Sequence, residues 1–315
     1  MPTRVTDGPQ AAVQAMAEAL RSLRAARPKA PLEGIGIGSP GPINLRTGVL
    51  GLLPNLPGWD NFPLRDALAE ATALPVYLES DANAAAIAEW KLGVGKATGV
   101  DSLAMITLGT GVGSGLILHG RVWHGMFGMG GELGHSVIEP GGLVCGCGTA
   151  GCLEMYASAG ALLRLAREVA VSAEGTAALQ QMFATGKEVV PHAIAALAET
   201  GDGAAQRAFG RLGHYLGLGI ANLISTLDLP MIVVGGGVAS AWPLFAPAMF
   251  RAVHRHSVVY RLARPAQQES LEEDHTFIVP ARLGPAAGLL GAALLPRLMG
   301  DQAQSNNTLT SEMHR

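Results

Sequence analysis

The sequence predicts a two-lobed α/β protein, and three observations lead there. Its 315 residues exceed the ~250–300 at which a single hydrophobic core stops growing. Strand-like and helix-like segments alternate in βαβ fashion along its first third. Three apolar strands run straight into glycine turns, in GIGIGSPG, MITLGTGVGSG and MIVVGGGV.

Each element has a local reason. Asp7-Gly8-Pro9 starts a helix with proline in its first turn, and Val13, Met16 and Leu20 continue it at helical spacing, giving a helix over 9–26. Residues 34–38 alternate as a strand that Pro40 and Pro42 stop, because proline cannot donate to a ladder. Helix 64–73, strand 75–78 and the alanine-rich helix 82–92 follow. Beyond a boundary near 93–100, SLAMITLG and GSGLILHG read as strands, and 158–227 supplies about four helices. Strand 231–234, a helix to about 254, strand 277–279 and helix 285–298 complete the pattern, with 301–315 a frayed tail. The lobes are expected at 1–97, with helix 284–300 packing back on it, and at 98–283.

Composition narrows the function. With 49% hydrophobic and 15% charged residues the chain should fold, and a net charge of −3 leaves no electrostatic footprint for nucleic acid or anionic lipid. The start, MPTRVTDGPQ, lacks the ~7–15-residue apolar core of a signal peptide, and the greasy stretches 216–227 and 283–295 fall short of the ~20 residues that span a bilayer. A cytoplasmic protein acting on a small molecule is expected.

Glycine turns bring bare backbone N–H groups close to an anion or a flat ring, although a single one more often reads as a tight hairpin. Gly36-x-Gly38-x-x-Gly41 matches the dinucleotide fingerprint in form only, since Pro40 and Pro42 interrupt where a helix must open. No Gly-x4-Gly-Lys-Ser/Thr phosphate loop occurs.

The most specific run is GGELGHSVIEPGGLVCGCGTAGCLEMYAS. His135 precedes Cys145, Cys147 and Cys152, the only cysteines in the chain. Three thiolates and one imidazole make a closed four-coordinate zinc shell with no open position for a catalytic water, so the expected ion is structural. Three buried free thiols beside a core histidine are the plainer alternative.

His-x9-Cys-x-Cys-Gly-x-x-Gly-Cys-x-Glu resembles the signature of the ROK family (repressor, open reading frame, kinase), which includes bacterial-type glucokinases and related sugar kinases. GSPGPIN, LPNLPGW, SDANAAAIAEW, LGTGVGSG and VVGGGV resemble the family's sugar-site and ATP-site segments in order, over residues 3 to about 298, and LPNLPGW is similar to the glucokinase branch. The resemblance implies an actin-like, hexokinase-type ATPase fold (ribonuclease H-like) with two α/β lobes and a ligand cleft between them, assembled as a homodimer or homotetramer. It implies ATP-dependent phosphorylation of a hexose, glucose foremost, with magnesium bridging the phosphates.

By that resemblance Asp81 matches the catalytic base that accepts the proton of the sugar 6-hydroxyl, where an isolated aspartate at this place would otherwise read as a helix cap. Ser80 stands where the family usually has asparagine, and Asn83 supports the same turn. Gly41, Asn55, Glu132, His135 and Glu154 match positions that hold the sugar, the alternative for the two glutamates being solvated loop charges. Gly109, Thr110, Gly111 and Gly113 resemble a phosphate loop, and Gly236 and Gly237 the adenosine contact.

The family pattern also holds a β-hairpin with Asp-x-Gly-Gly-Thr ahead of a Pro-Thr…Thr-Asp-Gly-Pro segment, and this chain begins at that segment with Met1-Pro2-Thr3 and Thr6-Asp7-Gly8-Pro9. The first phosphate loop is therefore missing from the pattern, and strand 34–38 should show an unpaired edge. Two expectations follow: a start placed too late in a longer natural protein, or a member that binds sugar but phosphorylates it poorly. A kinase for N-acylmannosamine or fructose is the alternative among enzymes.

Overall fold

A computed structural model of the chain describes residues 7–312 apart from 30, 54–55, 187 and 264–274. In chain order it contains α1 (Gly8–Ala26), β1 (Ile35–Ser39), β2 (Ile43–Asn44), β3 (Val49–Leu50), α2 (Leu64–Thr72), β4 (Val76–Ser80), α3 (Asp81–Lys91) and α4 (Val94–Thr98). β5 (Leu103–Leu108), β6 (Val112–Leu118), β7 (Arg121–Val122), α5 (Glu154–Ala157), α6 (Ala159–Ala170), α7 (Ala177–Ala184), α8 (Pro191–Glu199) and α9 (Gly203–Leu227) follow. The last elements are β8 (Met231–Gly235), α10 (Trp242–His256), α11 (Val258–Ala263), β9 (Phe277–Pro280) and α12 (Ala287–Glu312).

Contacts divide the chain into two units. The first comprises 1–88, 124–130 and 286–315, and the second 89–123 and 131–285. The division falls inside α3, earlier than the expected 97/98, and the loop 124–130 joins the first unit.

In the first unit β1 and β4 pair in parallel, from Ile35 opposite Val76 to Ser39 opposite Ser80, so both strands end at the same level. Among the described residues β1 pairs with β4 alone, and Ile35 and Ile37 are only half-buried. The hairpin β2–β3, α1 and α2 share one core, into which Val13, Leu50, Trp59, Leu64 and Leu68 are buried. Leu64 and Leu68 lie one helical turn apart on α2, and truncating a fully buried leucine such as Leu68 to alanine costs about 2–5 kcal/mol. α12 packs on β1 and β4. It continues to Glu312, past the expected helix end near 298 and through most of the expected tail. Pro296 lies inside it, so this proline does not end the helix.

In the second unit a five-stranded sheet runs β7-β6-β5-β8-β9, with β5, β8 and β9 parallel and β6 and β7 antiparallel to their neighbours. β8 is buried throughout, as the run Met-Ile-Val-Val requires of a strand covered on both faces. The long helix α9 starts at Asp202, whose carboxylate accepts the Ala205 N–H at 2.8 Å, and it buries Leu212, Leu216, Ile220 and Ile224. Phe245, Met249 and Val253 on α10 fill the same core. No helix among the described residues is long and apolar enough to cross a membrane.

Candidate active site and metal centre

In the first unit the sequence-selected groups collect at the carboxyl ends of β1 and β4, where open parallel sheets carry ligands. Gly41 lies exposed in the bend that follows β1. Ser80 ends β4, and its hydroxyl accepts the Asn83 N–H at 3.1 Å, capping the first turn of α3. Asp81 follows, its Oδ1 accepting the Ala82 N–H at 2.8 Å. Its carboxyl is open to solvent yet crowded by protein, and this partial desolvation outweighs its backbone hydrogen bonds and raises its pKa above the ordinary 3.8. Asn55 lies outside the described residues. Among the described residues on either side, Asp60 accepts the Leu53 N–H at 3.0 Å and Trp59 is buried.

Beneath Asp81 sits a group the sequence reading missed. Glu79 is fully buried, and its Oε1 accepts both the Ser80 N–H and the Asn83 side-chain N–H at 2.9 Å. Its Oε2 lies 2.7 Å from His124 Nε2. One carboxylate thereby fixes Ser80, directly before Asp81, and Asn83, two residues after it, and ties them to the loop 124–130. The available signal was a lone charge at the end of the apolar strand Val-Tyr-Leu.

In the second unit β5 turns through Gly109-Thr110-Gly111 into β6, with Leu108 opposite Val112. Gly113 lies within β6 opposite Thr107, and Thr110 is exposed at the tip. The turn is held on three sides. The Gly109 carbonyl accepts the Ala159 N–H at 2.8 Å, from the start of α6. The Val112 N–H donates to Glu154 Oε2 at 3.0 Å, and a Cβ on Gly111 would meet that same oxygen at 2.2 Å. Gly236, at φ +89°, approaches the Leu108 backbone so closely that a Cβ would lie 2.4 Å from its carbonyl oxygen. The structure thus brings Gly236 and Gly237 beside the Gly109–Gly113 turn, two segments far apart in sequence.

Glu132 and His135 occupy the loop next to β6. Ser114 on β6 pins this loop, donating to the Gly131 carbonyl and accepting the Leu133 N–H at 3.0 Å. Glu132 is exposed, and Glu154 is committed to the glycine turn by one oxygen.

His135, Cys145, Cys147 and Cys152 converge, their ligand atoms all within 4.8 Å of one another. An ion ~2.3 Å from each sulfur in a tetrahedron sets sulfur–sulfur edges of about 3.8 Å. Cys147 Sγ and Cys152 Sγ are 3.6 Å apart, and Cys145 Sγ is 3.7 Å from His135 Nδ1. Hydrogen bonds from Thr149 bring Cys147 down to about 6, whereas burial pushes Cys152 up to about 12 and raises Cys145. Three thiols so close cannot all ionise unaided, and a cation is the partner this donor set fits. Glu154 Oε1 lies 3.8 Å from Cys145 Sγ, so one carboxylate links the cysteine loop to the glycine turn.

The ROK family pattern matches residues 3–298. The chain belongs to the ROK family. A glucokinase of Halalkalibacterium halodurans is 36% identical to it over 98% of this chain and 89% of that one. The solved ROK hexokinase of Thermus thermophilus superimposes with a TM-score of 0.74 at 36% identity, covering 96% of this chain and 90% of that one. A ROK glucokinase of Streptomyces griseus, solved with glucose and AMPPNP, gives 0.73 at 33% identity over 90% and 88%. This ROK member therefore has the actin-like ATPase fold of these sugar kinases.

Proposed function

We propose that this ROK protein is an ATP-dependent hexokinase that converts glucose to glucose 6-phosphate. The observation that carries the reading is Asp81, a solvent-open carboxylate at the end of β4, with Ser80 before it and Asn83 two residues after it both held by buried Glu79. The sugar 6-hydroxyl oxygen attacks the γ-phosphorus of ATP and passes its proton to Asp81. The bond from that phosphorus to its bridging oxygen breaks, and ADP leaves. A pKa raised by crowding makes the ionised Asp81 carboxylate a stronger proton acceptor than that of an ordinary aspartate.

Gly41, Asn55, Glu132, His135 and Glu154 hold the sugar hydroxyls in this reading. The Gly109–Gly113 turn and Gly236-Gly237 take the phosphates and adenosine, supported by how closely they approach each other. Magnesium supplies neutralisation of the phosphate charge. A zinc ion held by His135 Nδ1 and the three cysteine sulfurs supplies rigidity to the loop, and leaves His135 Nε2 free to carry a proton towards the sugar.

Ser80 bears on sugar choice. Its hydroxyl oxygen accepts the Asn83 N–H, and it presents the sugar a single short hydroxyl where the family's asparagine would present an amide. We expect glucose to be preferred with weaker discrimination against N-acylmannosamine and fructose. The reading extends to a cytoplasmic homodimer or homotetramer. A coupled ADP-release assay across glucose, mannose, fructose and N-acetylmannosamine tests it, and a higher kcat/KM for any sugar other than glucose would replace the assignment.

A further inference from the structure

A concentration of basic side chains lies apart from the residues assigned above. A cleft of about 730 Å³ opens on the second unit between α9 and α10, flanked by α6. Its floor is made of small residues, Gly210 from α9 with Ala248 and Ala252 from α10. Arg207 and Arg211 stand one helical turn apart on one side, and Arg251 and Arg255 one turn apart on the other. Arg164 of α6 completes five guanidinium groups against only two lining carboxylates, Glu168 and Glu174, in a chain whose net charge is −3.

The internal partners do not absorb this charge. Glu168 is taken by Arg164. Glu174 is shared at 3.5 Å from Arg207 Nε and 3.8 Å from Arg211, and Arg207 Nε makes no hydrogen bond. The guanidinium groups of Arg251 and Arg255 have no hydrogen-bond or ion-pair partner among the described residues. The local field is felt by His214 in the same cleft, whose pKa is lowered first by burial and then by His256 and Arg255.

We propose that this cleft is a second anion site, distinct from the nucleotide turn, that takes a small molecule bearing at least two phosphate groups. Arginine forks match phosphate oxygens two at a time, and two arginine pairs facing each other over a flat floor match two phosphate groups better than one. The cavity exceeds a single orthophosphate, and the Tyr215 ring in its wall packs at a tilt against Tyr156, with centroids 4.6 Å apart. The chemistry is shared by inorganic phosphoanhydrides and by sugar bisphosphates.

The test titrates the full chain with tripolyphosphate, without magnesium or sugar, at matched ionic strength. A parallel titration uses fructose 1,6-bisphosphate. The wild-type chain is expected to show a binding event that Arg251→Gln/Arg255→Gln loses or weakens at least tenfold, with basal glucose phosphorylation unchanged. Arg251→Lys/Arg255→Lys keeps the charge but not the fork, and should weaken the same event several-fold while leaving the melting temperature in place. The tighter of the two ligands identifies the source. Equal binding of both ligands by wild type and variants would overturn the site. So would a fall in particle mass by light scattering in the variants, because the cleft would then be a contact between copies of the chain.

Discussion

Glu79 Oε2 and His124 Nε2 lie 2.7 Å apart, joining a fully buried carboxylate under the start of α3 to a loop that follows β7. The same carboxylate takes the Ser80 N–H and the Asn83 side chain, so Ser80, Asn83 and the loop 124–130 share a single anchor beside Asp81. Positioning at this level matters because small displacements of a reacting group are costly in rate.

Glu79→Gln keeps the shape but cannot accept on both sides at full strength. It should lower kcat roughly tenfold while leaving the KM for ATP within about twofold. Glu79→Ala should in addition lower unfolding stability by roughly 2–3 kcal/mol, because buried donors lose their acceptor. Steady-state kinetics alongside denaturant melts separate the two effects. A loss of stability in Glu79→Gln with kcat intact would reduce Glu79 to a folding role.

The raised pKa of Asp81 has opposite consequences for activity and stability. Only the ionised carboxylate accepts a proton, so kcat/KM should fall as pH drops through the folded pKa, at a pH above the ordinary 3.8 for aspartate. Because the folded pKa exceeds the unfolded one, the folded state holds its proton longer, and the stability present below the unfolded pKa is lost as pH rises through the folded value. Asp81→Asn should therefore be inactive yet at least as stable as the wild type at pH 7. A wild-type melting temperature well above that of Asp81→Asn at pH 7 would contradict the burial argument.

Gly111→Ala places a methyl group 2.2 Å from Glu154 Oε2 and must displace it from the Val112 N–H. The expected result is a higher KM for ATP and a stability loss of about 1–3 kcal/mol. An unchanged KM for ATP would remove the turn from the nucleotide site.

The cysteine cluster predicts about one zinc per chain by metal analysis, lost together with thermal stability on chelation. Cys152→Ser should bind less than a tenth of that zinc and lose glucose affinity through disorder of the His135 loop. Full zinc content in this variant would show that the ion sits elsewhere.

Much of the fold was legible because its elements announce themselves locally. Pro9 marks the start of α1, the alanine run marks α3, and the apolar strands ending in glycine mark β5 and β8. The clustering of His135 with Cys145, Cys147 and Cys152 was legible because all three cysteines share one loop. Glu79, His124 and Ser114 were not, since each acts by reaching a segment distant in sequence and neither spacing nor residue type marks that reach. Short elements such as β2, β3, α4 and α11 also escaped, because two to six residues carry too little periodicity to be read. The continuation of α12 beyond 298 to Glu312 was missed for a different reason: Gly300 and the polar residues after it carry no apolar periodicity to extend the helix.

The central claim is tested most directly by ADP release from the purified chain with glucose, magnesium and ATP, run in parallel with Asp81→Asn. The wild type is expected to show glucose-dependent turnover and the variant a loss of about 10²–10⁴-fold, with glucose binding retained. Turnover that survives in Asp81→Asn, or glucose binding without any ADP release by the wild type, would contradict it.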